Sequence, residues 1–410
     1  MRPSFWRFWR TLPARGNIGI LFGSWYTRPI VKKVFGEIDA AEFERQLKNI
    51  CEFERMLADD GVIIIKLWFH MSKHVAAKKL EKEAKSRQSA PETKKFLKQY
   101  DAFLPVSEQA LRDTEQSNLP WHIIEASDEK YRDATAATIV LDTLLLHLDK
   151  DQNTTQEIAL EIDDSHLVPD QPTILDHVNL DLSLSKKSYD AKLKHAQNEL
   201  NQLSWEARKQ KKSVVAVFEG WDAGGKGSAI RRVTQSIDAR LYKVISTAAP
   251  TDEEAAHHYL WRFWRQIPLA GYVTIYDRSW YGRVLVERVE KFARNEEWKR
   301  SYAEINHFEE QLHEHGIIIC KFWIHISPEE QLRRFEERAN IAWKQHKITD
   351  EDWRNRERWD DYKVAIDDMV AHTSTHYAPW TLVPGNDKKY ARIHILETLS
   401  NALKNNLDKS

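Results

Sequence analysis

The sequence contains only two cysteines, Cys51 and Cys320, far apart and outside any metal-ligand spacing. A disulfide framework and a cysteine zinc site are therefore excluded, and a reducing, cytoplasmic setting is expected. No apolar run approaches the roughly 18 residues that a membrane-spanning helix needs. The opening residues, Met1-Arg2-Pro3-Ser4-Phe5-Trp6, lack the apolar core of a signal peptide. Charge of one sign is also missing: 61 Lys and Arg balance 62 Asp and Glu, a net charge of −1. With no global field, neither nucleic acid nor an anionic membrane is an expected partner, and any polyanion site must be a local patch. No His/Cys zinc spacing and no Ser-His-Asp constellation stands out. What is present is a globular composition, 42% hydrophobic and 30% charged over 410 residues. At roughly 150 residues per domain, that length predicts two or three domains.

An internal repeat decides between those numbers. Trp6-Arg7-Phe8-Trp9-Arg10 recurs as Trp261-Arg262-Phe263-Trp264-Arg265, an offset of 255 (6 to 261). The same offset carries Ser24-Trp25-Tyr26 onto Ser279-Trp280-Tyr281, Arg28 onto Arg283, Phe53-Glu54 onto Phe308-Glu309 and Lys66 onto Lys321. A second block matches at offset 259 (114 to 373), with Pro120-Trp121 on Pro379-Trp380. The chain is expected to be two related domains, 1–150 and 188–410, joined by a polar, turn-rich linker over 151–187. Helical periodicity from Ser188 to Lys212 leads into the second. The copies are unequal. Tyr276-Asp277-Arg278 corresponds to Leu21-Phe22-Gly23, and Glu287 to Lys32. At offset 255 the first copy's counterpart of residues 220–228 would precede residue 1. The first copy therefore reads as incomplete and noncatalytic, with a natural loss and a downstream start both open.

The second copy carries the most informative stretch, Gly220-Trp221-Asp222-Ala223-Gly224-Gly225-Lys226-Gly227-Ser228. It follows the apolar run Val214–Phe218 and precedes a helical segment. Strand, glycine turn and helix in that order form a phosphate cradle, with backbone amides and a helix N-terminus facing the anion and a lysine reaching it. Gly220, Gly224, Gly225, Gly227 and Ser228 are the candidate backbone contacts, and Lys226 the catalytic cation. Gly227 stands where the motif usually has Ser or Thr, and Ser228 comes one residue late. An ordinary glycine-rich turn is the bland alternative.

Short β-branched runs at Val214–Phe218, Lys243–Ser246, Val273–Tyr276, Ile317–Ile324 and Trp380–Val383 predict strands. Helices are predicted at Ser228–Ile237, Glu253–Gln266, Glu296–His315 and Glu329–Ala342. The alternation predicts an α/β/α sandwich with a parallel sheet, binding ligands at the carboxyl ends of its strands. Asp277 ends one strand, where a carboxylate suits Mg²⁺; a helix N-cap is the alternative. Arg278 and Arg283 offer guanidinium forks for phosphate, and Arg278, replaced by glycine in the first copy, is the better catalytic candidate. Asp222 inside a polyanion-binding loop would repel its ligand unless it faces Mg²⁺ or the accepting nucleophile; an Asx turn is the alternative. The charged segment 333–360 reads either as a lid over phosphates or as a solvated face.

These motifs, together with Trp343-Lys344, Ile348-Thr349 and Asp352, resemble the second family of polyphosphate kinases, and within it the tandem-domain polyphosphate:AMP phosphotransferases. The resemblance covers nearly the whole chain. It implies a P-loop kinase-like fold, duplicated, and Mg²⁺-dependent transfer of a terminal phosphoryl group from inorganic polyphosphate to AMP. It also implies roles for Asp222 and Lys226 in the loop, for Asp277 and Arg278 in a second acidic motif, and for Lys344, Lys347 and Arg354 as phosphate-binding residues of the lid. Gly282 matches the AMP-specific group. A homo-oligomer is expected. Two rival readings stand beside this one: an ATP-dependent P-loop kinase, and a noncatalytic polyphosphate-binding protein.

Overall fold

The computed structural model of the protein describes residues 2–85, 96–153, 173–341 and 350–408. By compactness the chain divides into one unit of Met1–Asn17 with Asp164–Ser410 and another of Ile18–Asp163. The first seventeen residues thus leave the copy to which the repeat assigns them. The reason is apolar burial: helix α1 (Trp6–Trp9) inserts Trp9, fully buried, against Trp264, with ring centroids 5.7 Å apart in a stacked arrangement.

In the Ile18–Asp163 unit, α2 (Thr27–Val34) and α3 (Ala40–Asp59) precede β1 (Lys66–His70). Next come α4 (Lys73–Lys85), α5 (Tyr100–Asp113), β2 (Trp121–Glu125) and α6 (Glu129–Asn153). β1 and β2 pair in parallel as a two-stranded sheet. Its core includes a buried ionic knot. Glu54 accepts from Trp25 Nε1 (2.8 Å) and Tyr26 OH (2.7 Å), and Lys66 Nζ donates to Glu54 (3.2 Å) and to the Thr114 carbonyl (2.8 Å).

In the larger unit, α7 (Lys186–Lys209) leads into β3 (Ser213–Gly220), α8 (Lys226–Thr234) and β4 (Tyr242–Ser246). Between β4 and β5 (Val273–Asp277) lie α9 (Asp252–Ala255) and α10 (Trp261–Trp264). The single helix expected over Glu253–Gln266 is therefore two short ones. Between them the His258 ring is buried and its Nδ1 accepts from the Leu260 amide. Then follow α11 (Val286–Val289), α12 (Asn295–Glu314), β6 (Ile317–His325) and α13 (Pro328–Ala339). The chain closes with α14 (Asp350–Glu357), α15 (Trp359–Thr373), β7 (Trp380–Pro384) and α16 (Lys388–Asn406).

The five strands form one parallel sheet in the order β4-β5-β3-β6-β7. β3 is buried from Ser213 to Glu219 and β6 along its whole length, as apolar strands covered on both faces must be. The crossover connections change side at β3: β4 and β5 lie to one side of it and β6 and β7 to the other. A crevice opens at such a switch point, outside the carboxyl ends of the strands. Part of the expected linker belongs to this unit: Leu175 is buried and the Ile174 amide donates to Asp367 (2.7 Å) on α15. The rest, 154–172, lies outside the described residues. Among the described residues no helix is long and apolar enough to cross a membrane.

Candidate active site

The loop from Gly220 to Gly225 turns from β3 into α8 under tight constraints. A Cβ at Gly220 would lie 2.6 Å from the Ile324 carbonyl, and one at Gly224 2.8 Å from that of Trp221. Gly225 caps α8 at φ +115°, a conformation open chiefly to glycine. Ala223 also has a positive φ, 58°. The amides of Gly225, Lys226 and Gly227 find no acceptor among the described residues. They stand at the positive end of a helix. Lys226 folds back, its Nζ donating to the carbonyls of Gly220 (2.5 Å) and Trp221 (3.3 Å). These neutral acceptors are ones a phosphate oxygen can replace. Ser228 Oγ is engaged with the Gly225 carbonyl at 2.9 Å. Around Gly227 a Cβ would meet nothing within 4 Å, so that side of the loop is open.

Asp277 ends β5 in register with Phe218 of β3, which brings it to the rim of the same loop. Its carboxylate has no hydrogen-bond donor among the described residues. The capping role considered for it falls to Ser279, whose Oγ accepts from the Tyr281 amide. Arg278 is held with φ +62°, its amide donating to Phe218 O (3.1 Å) and its carbonyl accepting from Thr247 Oγ1 (2.8 Å). A left-handed arginine at a rim is backbone strain of the kind that collects at functional sites. Its guanidinium reaches Asp222 at 3.3 Å. Burial works against its charge, but Asp222, Glu219, Glu351 and Asp277 together outweigh that and raise its pKa. Asp222 also accepts from Asn355 Nδ2 at 2.9 Å, so its partners come from other elements and the Asx turn is not formed.

A cleft of about 770 Å³ collects these groups. Seven cationic and four acidic side chains line it, a local positive surplus on a chain whose net charge is −1. Asp222, Gly224, Gly225, Lys226, Gly227, Ser228, Asp277 and Arg278 all face it, and Gly220 lies directly behind.

Two expectations require correction, and a third falls on residues outside the description. Arg283 does not join the cleft; it pairs with Glu287 (3.2 Å) and lies over the Tyr259 ring, held by the packing beneath. Arg354 is bound to Glu290 at 3.1 Å, again outside the lining. Lys344 and Lys347 lie outside the described residues. Of the 333–360 segment, Arg333 pairs with Glu330 and Glu337, and Arg356 donates to the Pro328 carbonyl and Gln331. Those cations are committed within the protein, while Arg338 faces the cleft.

Other site residues escaped the sequence reading. Glu219 is buried and accepts from the Ser279 amide (2.7 Å) and hydroxyl (2.8 Å), tying the β5 loop to β3; burial pushes its pKa up. Trp359 stacks on Trp221 at 3.6 Å, and Trp221 Nε1 donates to His325 Nδ1 at 3.0 Å. Lys388 and Arg392 line the cleft from the first turns of α16, with burial lowering the Lys388 pKa to about 8. Their signal was available: like Gly220 and Asp277, they follow the carboxyl end of a parallel strand.

Known proteins resemble the chain over nearly its whole length. The family model described as polyphosphate kinase 2 matches residues 2–155 and 183–410. A polyphosphate:AMP phosphotransferase of Pseudomonas syringae pv. tomato is 45% identical over 98% of this chain and 81% of its own length. One of Acinetobacter johnsonii is 36% identical over 100% of this chain and 83% of its own. A crystal structure from Pseudomonas aeruginosa PA01 matches with a TM-score of 0.87 at 44% identity, covering 99% of this chain and 81% of that one.

Proposed function

The chain belongs to the polyphosphate kinase 2 family, and on that premise we propose that it is a phosphotransferase moving a terminal phosphoryl group from inorganic polyphosphate to AMP, giving ADP. The observation that carries the phosphoryl chemistry is the convergence of Lys226, three loop amides without an acceptor among the described residues, Asp277 and Arg278 on one cation-rich cleft. The choice of donor and acceptor rests on the activity named for the relatives.

Phosphoryl transfer between phosphates asks little covalent work of a protein; positioning and charge neutralisation supply most of the rate. The loop amides and Lys226 grip the donor's end, Arg278 faces the charge that develops on the transferring group, and Asp222, held by Asn355, orients the acceptor. Transfer is in line, without a covalent enzyme intermediate. The donor set fits Mg²⁺: Asp277 offers a carboxylate without a hydrogen-bond donor among the described residues, in the same cleft as Asp222, and this ion is held through one or two carboxylates with water and phosphate completing the shell. When bound there, Mg²⁺ neutralises charge on the phosphate oxygens. We also assign catalysis to the second copy alone.

The test is direct. The purified chain is incubated with polyphosphate, AMP and Mg²⁺ without ATP, and ADP is measured. ADP formation is expected. ADP only on addition of ATP would transfer the protein to the ATP-dependent kinases, and polyphosphate binding without turnover would make it a binding protein.

A further inference from the structure

Arg334 is 1% exposed, yet it carries a charge and sits on a helix whose adjacent Arg333 faces outward. All five of its donors are used. Nη1 donates to the carbonyls of Ala223 (2.9 Å) and Gly224 (2.8 Å), Nη2 to those of Gly385 (2.7 Å) and Asn386 (2.9 Å), and Nε to Glu330 (2.6 Å). One turn earlier on the same face of α13, Gln331 donates through Nε2 to the Asp222 carbonyl at 3.1 Å. Arg356 Nη1 steadies the other end of that amide, 3.1 Å from Gln331 Oε1. Three consecutive loop carbonyls are therefore gripped by two side chains of one helix.

A trans peptide is planar, so its C=O and N–H point in opposite directions. Drawing the Gly224 carbonyl onto Arg334 aims the Gly225 N–H away from it, and that amide has no acceptor among the described residues. The same geometry at Ala223 directs the Gly224 N–H, which closes the loop's own turn onto Trp221 O at 2.9 Å. Burying a guanidinium is costly unless each donor is satisfied, and here every acceptor but Glu330 is a backbone carbonyl. Two of those carbonyls belong to the segment just before Lys388 and Arg392, which line the cleft from its other side.

We infer that Gln331 and Arg334 are positioning residues that aim the phosphate-binding amides of the loop, and that Arg334 keeps this loop in register with the segment presenting Lys388 and Arg392. The inference rests on the phosphoryl-transfer reading above. Arg334→Lys keeps a charge but loses the fork; Gln331→Met removes one donor at nearly constant size. In the full chain, both are expected to weaken binding of inorganic tripolyphosphate, measured by calorimetry, by about tenfold or more, the scale of a misaimed hydrogen bond to a charged group. The KM for polyphosphate should rise in parallel, with the KM for AMP held within about twofold in Arg334→Lys, whose fork does not touch Asp222. Arg333→Lys, on the exposed face, should change neither. Unaltered tripolyphosphate affinity in a folded Arg334→Lys or Gln331→Met protein, with only the melting temperature lowered, overturns the inference. If Arg334→Lys does not fold, Gln331→Met decides. A wild-type chain that binds tripolyphosphate but does not phosphorylate AMP would sink the functional reading and leave the aiming of the amides to be judged by affinity alone.

Discussion

The two copies keep the same buried knot and part company at the rim. In the second, Glu309 accepts from Trp280 (3.0 Å) and Tyr281 (2.7 Å), while Lys321 donates to Glu309 (2.8 Å) and to the Thr373 carbonyl (2.7 Å). Residue for residue this is the Trp25, Tyr26, Glu54, Lys66 and Thr114 arrangement of the first copy. Even the flanking rings agree: Tyr26 meets Trp121 edge-on at 4.7 Å, and Tyr281 meets Trp380 at 4.6 Å. By contrast, Val273–Asp277 is a central strand in the second copy, whereas Ile18, Ile20 and Phe22 at the matching positions are 75%, 89% and 103% exposed and form no strand. Shared residues mark the scaffold, and divergent ones the chemistry. Ser-Trp-Tyr beside the arginine reads as a site motif in isolation; the duplication shows it to be a packing device.

The sharpest challenge to that division is mutation at the rim. Lys226→Ala or Asp277→Asn should cut turnover by about a hundred- to a thousandfold or more with the fold intact, as loss of a principal charge-stabilising group does. The paired change Phe22→Asp with Gly23→Arg should restore nothing in the Lys226→Ala background; recovery of ADP formation there would break the asymmetry. Next in size is the knot. Lys66→Met and Lys321→Met each leave a buried glutamate uncompensated, at a cost of about 3–5 kcal/mol. Hydrogen exchange should show β1 loosened by the first change and β6 by the second, to similar extents. Strongly unequal losses would mean that the shared geometry does not carry shared energetics.

A smaller effect belongs to the second copy alone. Lys388 faces Arg334 and Arg338 as well as Glu337 and Glu330, and burial together with Arg334 holds its pKa near about 8. An ordinary lysine keeps its proton to roughly pH 10.4. Because the folded-state value is depressed, the charge offered to phosphate is present below pH 8 and lost as pH rises through it. kcat/KM for polyphosphate, which reports the free enzyme, should therefore fall above about pH 8. Lys388→Arg should push that fall upward; an unchanged profile would remove Lys388 from the phosphate site.

Much of this was legible in the chain. All five strands of the larger unit were visible as short, largely apolar or β-branched runs, three of them ended by proline or a charged residue, and the loop was visible through its glycine and lysine spacing. Arg334 was not. In sequence it is one arginine in a charged helix, and its burial depends on carbonyls about 110 residues earlier and 50 later. The break within Glu253–Gln266 was hidden for the same reason, since His258 is drawn in toward Glu304, 3.4 Å away on α12. Arg283 misled in the opposite direction: its side chain looked free for phosphate but is taken by Glu287 and Tyr259.

The stacking of Trp9 on Trp264 has a practical corollary for anyone dissecting the protein. The larger unit is not a continuous stretch of polypeptide, so trimming away residues 1–150 removes a tryptophan from its interior along with the companion copy. Aromatic side chains of this size bury about 150–250 Å² each. A shortened chain that proves sticky or inactive would then be reporting a hole in its own hydrophobic interior, and separating the two explanations calls for grafting residues 2–17 back through a flexible tether.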